Sequence, residues 1–217
     1  MDEKVILCYG DSNTWGYCPE TARRYPPDVR WTGVLARRLG EGFRVIEEGL
    51  GGRTTVFDDP WRTGYRNGWK GLGYALLSGK PLDAVILMLG TNDLKFTDVY
   101  GSARGAEQLV KALKNADIVY GGSSPVFRGQ PRILLAAPIA VDRCVDDRPV
   151  PSSLKGRHET SLLFGREYAR VAAALEVDFL DAALYAHASA RDGVHMDAAS
   201  HQRLGEAMAQ KIREMLA

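Results

Sequence analysis

Two polar clusters, near opposite ends of the chain, contain the residue types that acyl transfer needs. Ser12 lies in the run Gly-Asp-Ser-Asn-Thr-Trp-Gly at 10–16, directly after a short apolar segment. Asp192 precedes His195 by three residues, so one turn can bring its carboxylate to the imidazole. A serine hydroxyl, a histidine base and a carboxylate that orients the base make an activated nucleophile. Each cluster also has a simpler interpretation, as a helix cap or a surface turn.

Two loops between these clusters offer hydrogen-bond donors for a negatively charged oxygen. Asn92, in the run Gly-Thr-Asn-Asp at 90–93, has a side-chain amide that can donate to an oxyanion. The neighbouring Gly51 and Gly52 can present a backbone N–H without a side chain that blocks the substrate. An ordinary strand-to-helix turn explains the first loop equally well, and a flexible turn explains the second.

The loops that carry these residues follow apolar runs that alternate with helical patterns. Predicted strands span 5–9, 44–48, 84–89, 133–137 and 177–180, and the runs 5–9 and 84–89 are typical of buried parallel strands. Predicted helices span 31–39, 103–116, 161–175 and 200–216. Irregular structure is predicted over 15–30, 51–73 and 141–156. The alternation predicts one α/β domain over residues 1–217, with helices on both faces of a mostly parallel five-stranded sheet.

In such a sheet, ligands bind outside the carboxyl ends of the strands. Ser12, Gly52, Asn92 and the Asp192/His195 pair all lie in loops that follow predicted strands. We therefore expect them at one edge of the sheet. This agreement of four loops favours an acyl-transfer site over four unrelated caps and turns.

The same motifs, in the same order, resemble the SGNH (GDSL-type) serine hydrolase family. They are Gly-Asp-Ser at 10–12, the glycine pair, Gly-Thr-Asn-Asp at 90–93 and Asp-x-x-His at 192–195. The resemblance implies a flavodoxin-like three-layer α/β/α sandwich. It implies Ser12 as nucleophile and Asp192 and His195 as its triad partners.

The resemblance also implies an oxyanion hole. Its donors are the backbone N–H groups of Ser12 and Gly52 and the side chain of Asn92, with Gly51 as the rival to Gly52. The sequence departs from the family pattern at Asn13, where leucine is usual. Both glycines also replace bulkier small residues that are expected in the small bacterial arylesterases and acyltransferases of this family.

A narrower resemblance, to small bacterial arylesterases and acyltransferases, is carried by residues 27–35, 45–50, 53–55, 58–60 and 87–93. It implies hydrolysis of short-chain, acetyl-type esters, including aryl esters, through an acyl-Ser12 intermediate, with acyltransferase or perhydrolase side activity. It also implies a homo-oligomer, commonly an octamer. A carbohydrate acetyl esterase and a thioesterase are alternatives that use the same triad.

Residues beside the motifs are candidates for contact with a small-molecule ester. Those predicted to bind substrate are Asp11, Trp15, Gly51 and Thr91. Aromatic residues in or near the loops are Trp15, Tyr17, Trp61, Trp69 and Phe96. They can wall a narrow apolar pocket for short acyl chains and aryl alcohols, or equally bury an oligomer interface.

Composition argues against several other classes of protein. The chain of 217 residues has a formal net charge of +1, so a basic stripe for nucleic acid is not expected. An apolar run of about 20 residues and a signal peptide are both lacking, which predicts a cytoplasmic protein without membrane contact. The three cysteines show no disulfide or zinc spacing. No cofactor or metal is expected. A nucleotide-binding module is not expected either, because the run at 10–14 lacks the glycine pattern and the lysine of a phosphate-binding loop.

Overall fold

A computed structural model describes residues 3–62, 64–147 and 152–217. Five strands form one sheet: β1 (Lys4–Gly10), β2 (Phe43–Gly49), β3 (Ala84–Met88), β4 (Ile133–Ala137) and β5 (Asp178–Asp181). Their order is β2-β1-β3-β4-β5, and every neighbouring pair is parallel. The predicted five-stranded sheet is confirmed, and it is parallel throughout.

Helices cover both faces of the sheet. They are α1 (Ser12–Trp15), α2 (Trp31–Leu39), α3 (Gly68–Gly79), α4 (Val99–Lys114), α5 (Ala116–Tyr120), α6 (His158–Ser161), α7 (Phe164–Leu175) and α8 (Ala198–Leu216). Helices α2 and α8 pack on one face, and α3, α4 and α7 on the other. The predicted three-layer α/β/α sandwich is therefore confirmed.

Alternating side chains of β1 enter the two cores. Ile6 and Cys8 point toward α2 and α8, whereas Leu7 and Tyr9 point toward the opposite helices. All four are buried, because a parallel strand covered on both faces has no solvent side. This is why the central strands β1, β3 and β4 are continuous apolar runs in the sequence, whereas the partly buried edge strands β2 and β5 also contain charged residues.

Helix α3 corrects the prediction that residues 51–73 are irregular, because it begins at Gly68. The side chain of Asn67 accepts a hydrogen bond from the backbone N–H of Lys70 and caps the helix. A Cβ at Gly68 would lie 2.5 Å from the carbonyl oxygen of Thr54, so the start of the helix requires glycine. Because glycine has a low helix propensity, this glycine-rich segment did not show the pattern of a helix in the sequence.

The other predicted helices are present with shifted ends. Helix α2 has the predicted bounds, whereas α4 begins four residues early because Asp98 caps its first turn. Residues 148–151 of the predicted 141–156 loop lie outside the described residues. None of the described helices is long and apolar enough to cross a membrane.

Candidate active site

The three side chains singled out at the two ends of the sequence form one hydrogen-bonded chain. The Oγ of Ser12 lies 2.9 Å from Nε2 of His195. The Nδ1 of His195 lies 2.6 Å from Oδ2 of Asp192. The three side chains are only partly buried, so a substrate can reach the serine hydroxyl. With its proton on Nδ1, the imidazole can accept a proton from the serine.

The loop that carries His195 is held by hydrogen bonds from its own backbone N–H groups to the Asp192 carboxylate. The Oδ1 of Asp192 accepts the backbone N–H groups of Val194 and His195, both at 2.9 Å. Burial would raise the pKa of the Asp192 carboxyl, but the hydrogen bonds from His195 and Val194 outweigh it and hold that pKa below its ordinary value. Asp192 is therefore ionised at neutral pH, as a residue that orients the imidazole must be.

Ser12 lies where β1 turns sharply into α1. Gly10 permits this turn, because a Cβ there would lie 2.0 Å from Oγ1 of Thr14. The Oδ1 of Asp11 accepts the backbone N–H of Asn13 at 2.9 Å, so Asp11 is the helix cap. The capping interpretation therefore applies to Asp11 and leaves the hydroxyl of Ser12 free for His195.

Asp11 was predicted as a substrate contact, and its position favours a different role. It is 3% exposed, and its Oδ2 lies 3.4 Å from Nδ2 of Asn92. We expect it to orient the Asn92 amide rather than touch the substrate. Burial raises the pKa of the Asp11 carboxyl, and the hydrogen bond from the backbone N–H of Asn13 and the nearby charges of Lys95 and Arg53 oppose that rise.

Asn92 follows β3 and points its amide toward the loop after β2. Its Nδ2 donates to the carbonyl oxygen of Arg53 at 3.2 Å. The contact with Asp11 is longer than a normal hydrogen bond, so one N–H of the amide is only weakly engaged. That N–H can turn to an oxyanion at little cost.

The loops after β2 and β3 are joined by a buried carboxyl group. Asp93 accepts the backbone N–H of Thr55 at 2.8 Å and also the Thr55 hydroxyl. Burial raises the pKa of Asp93 to about 7, although both hydrogen bonds from Thr55 act to lower it. This link fixes the position of Asn92 relative to the glycine pair.

Gly52 has a backbone conformation that favours glycine, with φ of +79°. A Cβ at this position would lie 2.6 Å from Nη1 of Arg66. At Gly51 a Cβ would meet no heavy atom within 4 Å, so nothing in the fold requires glycine there. Strain and close approach thus single out Gly52 of the pair as the structurally constrained residue.

Asn13 is a site residue whose role the sequence did not reveal. Its Nδ2 donates to the carbonyl oxygen of Val194 at 3.2 Å, and its Oδ1 accepts the backbone N–H of Met196 at 3.0 Å. The buried amide therefore binds the backbone on both sides of His195. In the sequence, only the departure from leucine at position 13 pointed to a special role for this residue. Its hydrogen-bond partners lie more than 180 residues away along the chain, so local spacing could not reveal them.

The candidate substrate-contact residues do not form one apolar pocket. Tyr17 packs on His195, with ring centroids 4.2 Å apart. Trp15 packs against Arg24 instead, and Thr91 is 3% exposed. Trp61 and Phe96 line a cavity together with charged side chains, and Trp69 lies half-exposed on α3.

No group of three or more His, Cys, Asp or Glu side chains is placed to hold a metal ion within residues 3–62, 64–147 and 152–217. The described site offers the chemistry of the serine, the imidazole, the carboxylate and the nearby N–H groups. Such a set can form an acyl-enzyme and stabilise the tetrahedral states on either side of it.

Comparison with solved structures shows the same fold along nearly the whole chain. The native aryl esterase of M. smegmatis is 36% identical, with a TM-score of 0.88 over 98% of this chain and 99% of that one. Est24, a carbohydrate acetylesterase from Sinorhizobium meliloti, is also 36% identical, with a TM-score of 0.87 over 98% and 100%. A putative arylesterase from Agrobacterium tumefaciens is 35% identical, with a TM-score of 0.86 over 98% and 99%.

Among curated protein sequences, none matches the chain. The model of the GDSL-like lipase/acylhydrolase family matches residues 8–203, a segment that includes every candidate catalytic residue described above. The protein belongs to the GDSL-like lipase/acylhydrolase family.

Proposed function

We propose that the protein is a serine esterase that hydrolyses short-chain acyl esters, including aryl esters, with Ser12 as nucleophile. The observation that carries the proposal is the continuous hydrogen-bonded chain from Ser12 through His195 to Asp192. His195 takes the proton of the serine hydroxyl while Oγ attacks the ester carbonyl. Asp192 holds the ring in the required tautomer and stabilises the imidazolium that forms.

The tetrahedral intermediate then needs donors for its negative oxygen. We assign this task to the backbone N–H groups of Ser12 and Gly52 and to the side chain of Asn92. The Asp11 carboxylate and the carbonyl oxygen of Arg53, both of which accept from the Asn92 amide, orient it. His195 next protonates the leaving alkoxide, and water attacks the acyl-enzyme to release the acid and free Ser12.

The finer part of the proposal concerns which alcohol the substrate contains and which molecule accepts the acyl group. The similarity to an aryl esterase and to carbohydrate acetylesterases supports activity on acetyl esters of both kinds of alcohol. A higher kcat/KM on phenyl acetate than on acetylated sugars supports the arylesterase reading, and the reverse supports the carbohydrate acetyl esterase. Transfer of the acyl group to an added alcohol or to hydrogen peroxide measures the acyltransferase side activity.

The decisive kinetic experiment is a pre-steady-state measurement with an aryl acetate. Wild-type protein should release a burst of phenol as Ser12 is acylated, if deacylation is the slower step. Ser12→Ala should lose the burst, and kcat should fall by a factor on the order of 10⁴ or more. Ser78→Ala, at an exposed serine of α3, is the matched control and should keep wild-type kinetics. Undiminished turnover in Ser12→Ala excludes the mechanism.

A further inference from the structure

A cavity of about 240 Å³ beside the loop that follows β2 and carries Gly52 has a positively charged lining. Three cationic side chains, Arg62, Arg66 and Lys95, line it together with a single carboxylate, Asp59. At neutral pH the three cations leave an excess of two positive charges over that carboxylate. An excess of this kind favours an anionic ligand.

Arg66 connects this cavity to the proposed oxyanion hole. Its guanidinium fills the space that a side chain on Gly52 would occupy, since a Cβ there would lie 2.6 Å from Nη1 and 3.1 Å from Cζ. The lack of a side chain at Gly52 therefore admits a cation next to the proposed oxyanion hole.

Within the part of the chain that the structure describes, the three cations have no acidic partner at ion-pair distance. Among the described residues, no carboxylate lies within 4.0 Å of the charged groups of Arg62, Arg66 or Lys95. The Nε of Arg66 is buried without a hydrogen-bond partner among those residues. A buried guanidinium nitrogen without a partner is costly unless a ligand supplies one.

Lys95 extends the positive potential from the cavity toward the catalytic residues. It lies at the end of the turn that carries Asn92, and it interacts electrostatically with Asp11 on one side and with Asp59 on the other. Burial lowers the pKa of the Lys95 ammonium; Asp59 and Asp11 oppose this effect, and the repulsion from Arg66 and Arg62 adds to it. An anion bound among these groups would relieve that repulsion.

The position of the cavity indicates which half of an ester it would receive. His195 must protonate the leaving oxygen, so the alcohol half lies toward the loop that carries the histidine. The cavity is lined by residues from 59–66, 95–96 and 153, with none from the 188–196 loop. The acyl half of the substrate is therefore the part that points toward the cations.

We propose that the acyl group of the preferred substrate ends in a carboxylate, which binds to Arg66, Lys95 and Arg62. The substrate class is a half-ester of a short dicarboxylic acid. This inference rests on the proposed esterase activity and specifies the substrate of the same site.

The test compares two matched pairs of esters that differ by one charge. Monophenyl glutarate and its methyl ester place the charge on the acyl side, and phenol release is followed for both. The free acid should have a kcat/KM about tenfold higher, the size of one charge-assisted hydrogen bond. The second pair, 4-acetoxybenzoate and its methyl ester, places the charge on the alcohol side and should show no such preference.

Variants and salt identify the cause of the preference. Arg66→Met should reduce the acyl-side ratio by about tenfold, and Arg66→Lys should retain most of it. Arg132→Met, at an exposed arginine outside this cavity, should leave the ratio at the wild-type value. In wild-type protein, 1 M NaCl should lower the ratio, because the Debye length falls to about 3 Å.

Two failures are distinguishable from each other. Hydrolysis of phenyl acetate without any preference for the acyl-side acid overturns the carboxylate site and leaves the esterase proposal standing. A preference that survives Arg66→Met and high salt, or that occurs on the alcohol side instead, also overturns it. Absence of any hydrolysis by wild-type protein, phenyl acetate included, overturns the esterase proposal itself.

Discussion

At the scale of single residues, Asn13 joins the nucleophile turn to the histidine loop. Its amide binds Val194 and Met196, the two neighbours of His195. Asn13→Leu removes both hydrogen bonds and leaves buried backbone groups without partners. We expect kcat to fall by about 10–100-fold as the Ser12–His195 geometry loosens, because small misplacement of reacting groups is costly.

The readout that separates positioning from stability is the split between kcat and KM. KM for phenyl acetate should change little in Asn13→Leu, because Asn13 contacts the loop rather than the ester. Asn13→Asp keeps an acceptor for the N–H of Met196 and loses the donor to Val194, so its kcat should be intermediate. Wild-type kcat in the leucine variant would show that the amide does not position His195.

A second residue-scale prediction concerns the proposed oxyanion donor Asn92. Asn92→Ala removes the amide that lies between Arg53 and Asp11, and kcat should fall by about 10²–10³. Labelling of Ser12 by a fluorophosphonate should persist, because the nucleophile and its base remain. Gln210→Ala, on the outer surface of α8, is the control for loss of an amide. An unchanged kcat in Asn92→Ala would remove Asn92 from the oxyanion hole.

The sequence indicated the candidate catalytic residues better than the residues that hold them in place. Ser12, Asp192 and His195 stood out because four loops after predicted strands together carry the residue types of one acyl-transfer site. Asn13 and Arg66 did not, because their contacts join segments that are distant in sequence. An asparagine or arginine in a loop has many ordinary roles, and only the folded chain distinguishes among them.

At the scale of elements, a buried histidine couples the packing of α8 and α2 to pH. The Nδ1 of His201 accepts the backbone N–H of Trp31 at 3.2 Å. Burial lowers the pKa of His201 from 6.5 to about 4, with a smaller opposing effect of Asp197. The unfolded chain therefore binds a proton between pH 6.5 and about 4 that the folded protein does not.

The contribution of His201 to the free energy of unfolding should fall as pH decreases through this window. The shift in pKa corresponds to a loss of about 3 kcal/mol, complete near pH 4. His201→Asn keeps an acceptor for Trp31 and removes the titrating group, so its stability should depend less on pH between 6.5 and 4. The contribution of Asp93 to the free energy of unfolding increases as pH falls, because its pKa is raised in the folded protein. This contribution is the same in both proteins, so it cancels when their unfolding free energies are compared.

Urea unfolding of both proteins at several pH values measures this difference. The difference in unfolding free energy between wild type and His201→Asn should change by about 3 kcal/mol between pH 7 and pH 4. Parallel curves for the two proteins across this range would show that His201 does not remain neutral in the folded state.

The strands and most helices were predictable at this scale, and α3 was not. Apolar runs such as 133–137 have the same bounds in sequence and structure, because burial on both faces leaves them no other pattern. Helix α3 contains four glycines, among them Gly68 and Gly79, which need close packing with Thr54 and Ile46. Tertiary contact overrides local propensity in such a segment.

At the scale of the whole molecule, the strand order explains why the site forms where it does. The chain runs from β1 to its neighbour on one side, then crosses to β3 on the other side. This reversal opens a crevice between the carboxyl ends of β1 and β3, where ligands bind in doubly wound sheets. Ser12 follows one of these strands and Asn92 the other. The rule that ligands bind at strand ends was sufficient to select these loops from the sequence.

The proposed homo-oligomer is also a property of the whole molecule. Several large apolar side chains are exposed on the surface of α3 and α5, including Tyr74 at 81% and Ile118 at 85%. The two helices touch where the ring of Tyr120 lies against Gly73, so these side chains belong to one surface. Exposed apolar surface of this kind is typical of subunit interfaces.

Light scattering coupled to size exclusion gives the assembly mass directly. We expect a mass near eight times the 23.8 kDa of one chain, as an octamer requires. A single species at the mass of one chain, at micromolar concentration and moderate salt, would refute the oligomer.

The central claim is that Ser12 is the nucleophile, and covalent labelling tests it most directly. Wild-type protein is treated with a fluorophosphonate ester, digested, and mapped by mass spectrometry. We predict one label per chain, on the hydroxyl of Ser12, with labelling lost in Ser12→Ala and strongly slowed in His195→Ala. A label on another residue, or equal labelling of Ser12→Ala, would contradict the account.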